Sequence, residues 1–179
     1  MSKKIRLTLV LAILASLVLV VLGGVVVSQG QFATKTVHDQ LAREQIYIPK
    51  DAKSGLLPGM EKYAGRQVVT GDEAEVYADK FIAVHIKKAT GGLTYAQVGT
   101  ALKAATAAGD TKKVTELTAA KATAFQGEML RGTLLNAYGW DSFGQRVTLA
   151  GRILLDTGIA LGLLGLLGFV VPVVRRRRS

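Results

Sequence analysis

The chain has 179 residues and a formal charge of +10, from 23 Lys and Arg against 13 Asp and Glu, and it has no cysteine. The missing thiols exclude a disulfide framework, a thiol nucleophile and a thiolate metal site, while 49% hydrophobic residues is too apolar for a typical soluble domain. The basic balance does not point to nucleic acid: Lys3, Lys4, Arg6 and Arg175, Arg176, Arg177 and Arg178 form two terminal clusters, and there is no cytoplasmic domain with interleaved basic and aromatic residues.

After residues 1–6, an unbroken apolar run occupies residues 7–27 (LTLVLAILASLVLVVLGGVVV). At about 1.5 Å per residue it reaches about 30 Å as a helix, the hydrocarbon thickness of a bilayer. It is longer than a typical signal-peptide core, and Val26 and Ser28 make a mediocre small-x-small cleavage site, so we read it as a retained anchor. Cleavage would leave one C-terminal span in the same orientation. Ala12, Ser16 and Gly23 give this helix a face of small residues.

Residues 28–152 are read as one extracytoplasmic domain. It opens with a short amphipathic helix, Thr36 to Ile46, whose apolar positions are Val37, Leu41 and Ile46. From Tyr47 to Gly71 the residues Pro49, Gly55, Pro58, Gly59 and Gly65 recur too often for a long helix. The expectation for residues 47–71 is a draped surface segment pinned by Tyr47, Leu56, Leu57, Met60 and Tyr63, preferred over a binding loop.

Asp72 is the expected N-cap of the next helix, with Glu73 and Glu75 complementing its dipole. Ala74, Tyr77, Ala78, Phe81, Ile82 and His85 then follow at helical spacing, and Gly91-Gly92 ends the element. A helix over Thr94 to Ala107, a turn at Gly109-Asp110 and a long helix from Thr111 to about Tyr138 complete an all-α small bundle. The Ala/Thr-rich stretch over residues 89–124 has no fixed repeat period.

The segment Ala124 to Gly144 is the densest in candidate contacts. Gly127 and Gly132 inside a helix predict close packing against another helix. Glu128 and Arg131 are spaced to pair, and with Asn136, and Gln126 beside them, they form a candidate external contact set, weighed against a structural hydrogen-bond network. Tyr138, Trp140 and Phe143 precede the second apolar run, where amphipathic rings serve as interface anchors.

KYAGRQV (Lys62 to Val68), Gly71 followed by YADKFIAVH (Tyr77 to His85), and FQGEMLRGTLLNAYGW (Phe125 to Trp140) resemble an uncharacterised family of two-span membrane proteins from high-GC Gram-positive bacteria. The resemblance implies an envelope protein with an external helical domain in a bacterium with one plasma membrane. It assigns no catalytic residue.

The second apolar run, residues 153–174, again matches a span, followed by the basic tail 175–179. The basic clusters on the terminal side of each run predict both termini cytoplasmic, the domain between them outside, and a plasma-membrane, multi-pass protein. The arginine tail would also be drawn to an anionic leaflet. Gly158, Gly162 and Gly165, with Gly151 seven residues before Gly158, form a glycine stripe suited to close helix docking, on the protein's own first span or on another chain. Asp156 is the one charged residue in this run, and Arg152, four residues earlier, is its expected ion-pair partner at the interface.

Catalysis finds no support in these motifs. The two histidines, His38 and His85, have Asp39, Asp79 and Glu128 as candidate carboxylate partners, but neither HExxH nor GxSxG is present, so the chain is read as a non-enzyme without cofactor or metal. The leading expectation is an accessory, scaffolding or sensory subunit that binds an envelope or membrane-protein partner through the external bundle and the glycine-faced span, because only Arg175 to Ser179 follow that span and no output domain is seen. The alternative is a homo-oligomeric channel with Asp156 at its outer mouth.

Overall fold

The computed structural model describes residues 2–177, with side chains through residue 170. Arg178 of the basic tail lies outside the described residues, as do the side chains of Arg175, Arg176 and Arg177. The described chain is all-helical: α1 (Lys3–Glu44), α2 (Gly71–Val76), a π-helical segment (Tyr77–Ile82), α3 (Ala83–Ala89), α4 (Tyr95–Ala107) and α5 (Thr111–Arg177), with two short 3-10 turns at Ala52–Ser54 and Glu61–Tyr63. Two of these, α1 and α5, are long and apolar enough to cross a membrane. The expected end of α5 near Tyr138 is corrected, since the helix runs on through Gly139, Gly144 and Gly151.

The residues group into two compact units, one comprising the chain up to Thr34 and from Phe143 onward, the other Lys35–Ser142. In the first unit the two apolar helices touch backbone to backbone at a ladder of glycines. A Cβ on Gly151 would stand 2.6 Å from the Val27 nitrogen, one on Gly23 2.6 Å from the Leu155 nitrogen, and one on Gly158 2.9 Å from the Ser16 carbonyl oxygen and Leu19 Cβ. Gly144 faces the Gly30 carbonyl at the same spacing of seven before Gly151. Small residues at these positions let dispersion contacts form along the whole seam, which is how apolar helices associate where lipid removes the hydrophobic drive. Ser16, buried in that seam, donates its hydroxyl proton to its own helix at the Ile13 carbonyl, 2.7 Å away, so no polar atom is stranded there.

The second unit is built differently. Its core is Val37 and Leu41 from α1, Ile48, Met60 and Val68 from the following segment, Ala74 and Ala78, and Leu134 from α5. The α1 helix ends at Glu44, two residues before the expected end, because Gln45 turns left-handed at φ 51° and the chain then reverses direction. Segment 47–71 is an ordered excursion whose two limbs pair: Ile48 N donates to Arg66 O (2.9 Å), Val68 N to Ile46 O (2.8 Å) and Gly65 N to Ile48 O (3.1 Å). Gly65, at φ 72°, makes the return. Met60 is fully buried and Leu56, Leu57 and Tyr63 pack on the core, but Tyr47 is 59% exposed, and Ile48 takes the pinning role expected of it.

The start of α2 corrects the expected cap. Thr70, not Asp72, is the N-cap: its hydroxyl accepts from Glu73 N (3.3 Å), and the Glu73 carboxylate accepts from Thr70 N and Val69 N (3.0 Å each). This reciprocal capping box satisfies donors that would otherwise be orphaned at the helix start. The Glu73 side chain is buried, and its other oxygen, Oε1, lies 2.6 Å from Arg66 Nη2, which neutralises it even though the angle is poor for a hydrogen bond. Asp72 sits in the first turn, where its charge still complements the dipole. Gly71 brings α2 directly onto α5. Its N–H donates to the buried Asp141 carboxylate (2.9 Å), and a Cβ there would fall 2.7 Å from Asp141 Cβ.

Candidate interaction surfaces

Of the expected contact set, Glu128 and Arg131 pair as their spacing predicts, whereas Asn136 stands apart from them. Arg131 turns to a partner on another element, donating from Nε (3.1 Å) and Nη2 (2.8 Å) to Asp79 Oδ1 in the π-helical segment. Glu128 is a secondary partner at 3.6 Å. The hydrogen bond to Asp79, with Glu128 adding charge, holds the Arg131 guanidinium above its ordinary pKa, so this group is a fixed tie between α5 and the preceding helices. Asn136 is exposed and lies about 140° around α5 from Arg131, and Gln126 is exposed as well. The sequence offered Asp79 only as a candidate carboxylate partner of the histidines, because its actual partner, Arg131, is 52 residues away in the chain.

Around the tie, the π-helical segment stacks its rings. Tyr77 and Phe81 lie 4.8 Å apart and nearly parallel, and Phe81 and His85 lie 4.2 Å apart. His85 is exposed at the rim, with its Nδ1 2.7 Å from the Phe81 carbonyl. Burial pushes the Tyr77 phenol up from its ordinary pKa. On α1, Lys35 donates to Asp39 at 2.7 Å, and His38 Nδ1 lies 3.4 Å from the same carboxylate. The Lys35 hydrogen bond, then that of His38, holds Asp39 below the usual carboxylate range. Among the described residues no three His, Asp or Glu side chains cluster so as to hold a metal ion.

Gly127 and Gly132 separate cleanly. A Cβ on Gly127 would strike Ile86 Cγ1 at 2.5 Å, so this glycine admits α3 to the α5 surface, whereas Gly132 has nothing within 4 Å. Gly132 belongs to a face of α5 that the rest of its unit leaves open. Thr118, Ala122, Phe125, Met129, Gly132 and Asn136 recur at alternating spacings of four and three, and all are exposed. The charged residues of this stretch, Lys112, Lys113, Glu116, Lys121, Glu128, Arg131 and Asp141, lie off that line on the helical wheel. Lys121 is drawn to the Tyr95 ring, 5.4 Å from its centroid, and Tyr95 borders Phe125. The strip is thus uncharged and exposed on a helix that is polar elsewhere. Of the expected interface anchors, Trp140 and Phe143 are exposed and Tyr138 is half-buried.

In the first unit, Gly158, Gly162 and Gly165 all face the protein's own first helix, against Leu19 and Ser16, Ser16, and Ile13 respectively. Of the two roles weighed for the stripe, it serves the internal helix pair, and that face is not open to another chain. The expected ion pair between Arg152 and Asp156 is also absent, neither residue being among the paired charges Lys35–Asp39, His38–Asp39, Arg66–Glu73, Arg131–Asp79 and Arg131–Glu128. Within a helix an acidic residue placed C-terminal to its basic partner is the weaker orientation. Both side chains are exposed.

The architecture is thus that of an all-helical protein with two helices long and apolar enough to cross a membrane. No family model matches the chain, and no curated protein or solved structure matches it significantly.

Proposed function

We propose that the chain is a non-catalytic membrane subunit of the two-span family whose motifs it resembles, a hairpin that carries an extracytoplasmic helical domain and uses it to hold an envelope or membrane-protein partner. Residues 7–27 and 153–174 are the spans, and Lys3, Lys4, Arg6 and the arginine tail keep both termini cytoplasmic. The observation that carries this reading is the uncharged, exposed strip of α5 through Phe125, Met129 and Asn136, which offers a partner two apolar anchors followed by an adaptable amide. The glycine stripe no longer belongs to the partner contact, because α1 covers it.

The channel reading has less behind it. Within residues 153–174 the face that bears Asp156 otherwise presents Ile153, Leu163 and Leu167, which is apolar surface rather than the lining of a wet pore.

The test is co-purification from native membranes in mild detergent. The full chain should bring down a second polypeptide in fixed ratio, and Phe125→Asp combined with Met129→Asp should release it while the thermal unfolding of the chain is unchanged. Retention of that polypeptide by the double variant would remove the α5 strip from the interface.

A further inference from the structure

We propose that two copies of the chain pair side by side in the bilayer through the outward face of α5 that bears Arg152 and Asp156, with each guanidinium engaging the other copy's carboxylate. This rests on the membrane reading above and adds to it a second copy as the occupant of a face that α1 does not cover.

The depth of Asp156 follows from the glycine ladder. Leu155 lies against Gly23, and Gly158 lies against Leu19 and Val20, so Asp156 is level with Leu22 of α1. The first polar residues beyond the apolar run of α1, Ser28 and Gln29, are six residues further out, about 9 Å along the axis. From its own helix alone Asp156 sits one turn inside the apolar run; the pairing with α1 sets it deeper. The residues of α1 at that level, Val20 to Gly24, carry no charge or hydrogen-bonding side chain.

The direction in which it points is equally constrained. Asp156 is about 140° or more around α5 from Gly151 and Gly158, the contact side of the pair, and it is exposed, among exposed Leu149, Ile153 and Leu163. An ionised carboxylate at that depth, facing lipid, is costly unless a cation meets it. Arg152 supplies that cation on the same face, one turn outward, yet the two do not pair within the chain. Two copies sharing one topology are related by a two-fold axis along the membrane normal, and that operation carries Arg152 of each copy towards Asp156 of the other. The patch is self-complementary: one positive and one negative group per copy, in reversed order across the axis, framed by apolar side chains. A long guanidinium stem spans the single turn of height between them, and its fork matches a carboxylate.

The absence of cysteine makes one introduced thiol a clean reporter. The full chain carrying Leu149→Cys is oxidised in intact membranes and the disulfide-linked dimer is quantified. The dimer should form and should fall roughly tenfold when either Arg152→Ala or Asp156→Ala is added. Co-expressing the Arg152→Ala and Asp156→Ala chains should recover part of it, because one pair between copies is then restored. No recovery in the mixture, with recovery only in the charge-exchanged Arg152→Asp, Asp156→Arg chain, would place the pair inside one copy and overturn the proposal. Extraction at alkaline pH is scored on the same membranes. A protein that stays in the membrane without pair-dependent cross-linking refutes the dimer alone, whereas one that is extracted refutes the membrane reading and the dimer with it.

Discussion

The two units of this molecule solve the packing problem in opposite ways. The helix pair of the first unit is held by what its residues lack: Gly23, Gly30, Gly144, Gly151 and Gly158 remove side chains so that two backbones touch. The unit of Lys35–Ser142 is held by what its residues supply: the buried bulk of Ile48, Met60 and Leu134, and polar clamps at Glu73 and Asp141 that tie turns to helices. The first arrangement works without hydrophobic drive between the helices, and the second depends on water being excluded from a core. Substitutions should therefore separate the two units.

The largest effect is expected at Gly151→Leu, whose side chain meets main-chain atoms of Val27 at 2.6 Å from its first carbon. Neither backbone can yield without opening the seam, so the loss should reach about 3 kcal/mol or more, read as a fall in thermal unfolding temperature in detergent. Met60→Ala should cost about 2–5 kcal/mol by leaving a cavity in a fully buried site. It should destabilise the unit of Lys35–Ser142, which hydrogen exchange resolves by region; loss of protection confined to residues 7–27 would contradict this division.

Two glycines on one helix sharpen the contrast further. Gly127→Ala places a carbon 2.5 Å from Ile86 and should destabilise by about 1–3 kcal/mol, whereas Gly132→Ala enters open space and should stabilise by up to about 1 kcal/mol through helix propensity. Equal effects at both sites, measured by chemical denaturation, would refute the packing assigned to Gly127. The smallest effect is at Asp39. Its pKa is lowered on folding, so its contribution is fully present above the ordinary carboxylate range, near pH 4, and is lost as pH falls through the depressed value. Asp39→Asn should flatten that shallow acid limb, and added salt should do the same, since the carboxylate is open to solvent over much of its surface.

What was legible in the sequence follows the range of each interaction. The long apolar runs and the helix over Thr94 to Ala107 rest on local pattern, and Thr94 and Gln97 do form the capping box their spacing allows. Thr70-Gly71-Asp72-Glu73 spells the same box, and reading Asp72 as the cap overlooked it. The glycine stripe was visible as a face, but which helix covers it depends on a pairing more than 100 residues apart in the chain, such as Gly23 with Leu155. The order within segment 47–71 was hidden for the same reason: Pro and Gly announce that no long helix forms there, while hydrogen bonds between residues 46–48 and 65–68 supply the order. Helix α5 outruns its expected end because the penalty of an interior glycine is outweighed where that glycine admits a neighbour, as Gly144 and Gly151 do.

The side chain of Gln67 donates to the Ala42 carbonyl at 2.8 Å. Ala42 lies in the last turn of α1, where carbonyls have no partner in their own helix, so the returning limb of the excursion finishes a helix that ended some 25 residues earlier in the chain. The end of α1 is therefore completed only where the loop is closed, and a single proteolytic cut between Gly55 and Gly59 would reach it at a distance. In the cut chain the amides of residues 41–44 should exchange with solvent faster, although no bond near them has been broken.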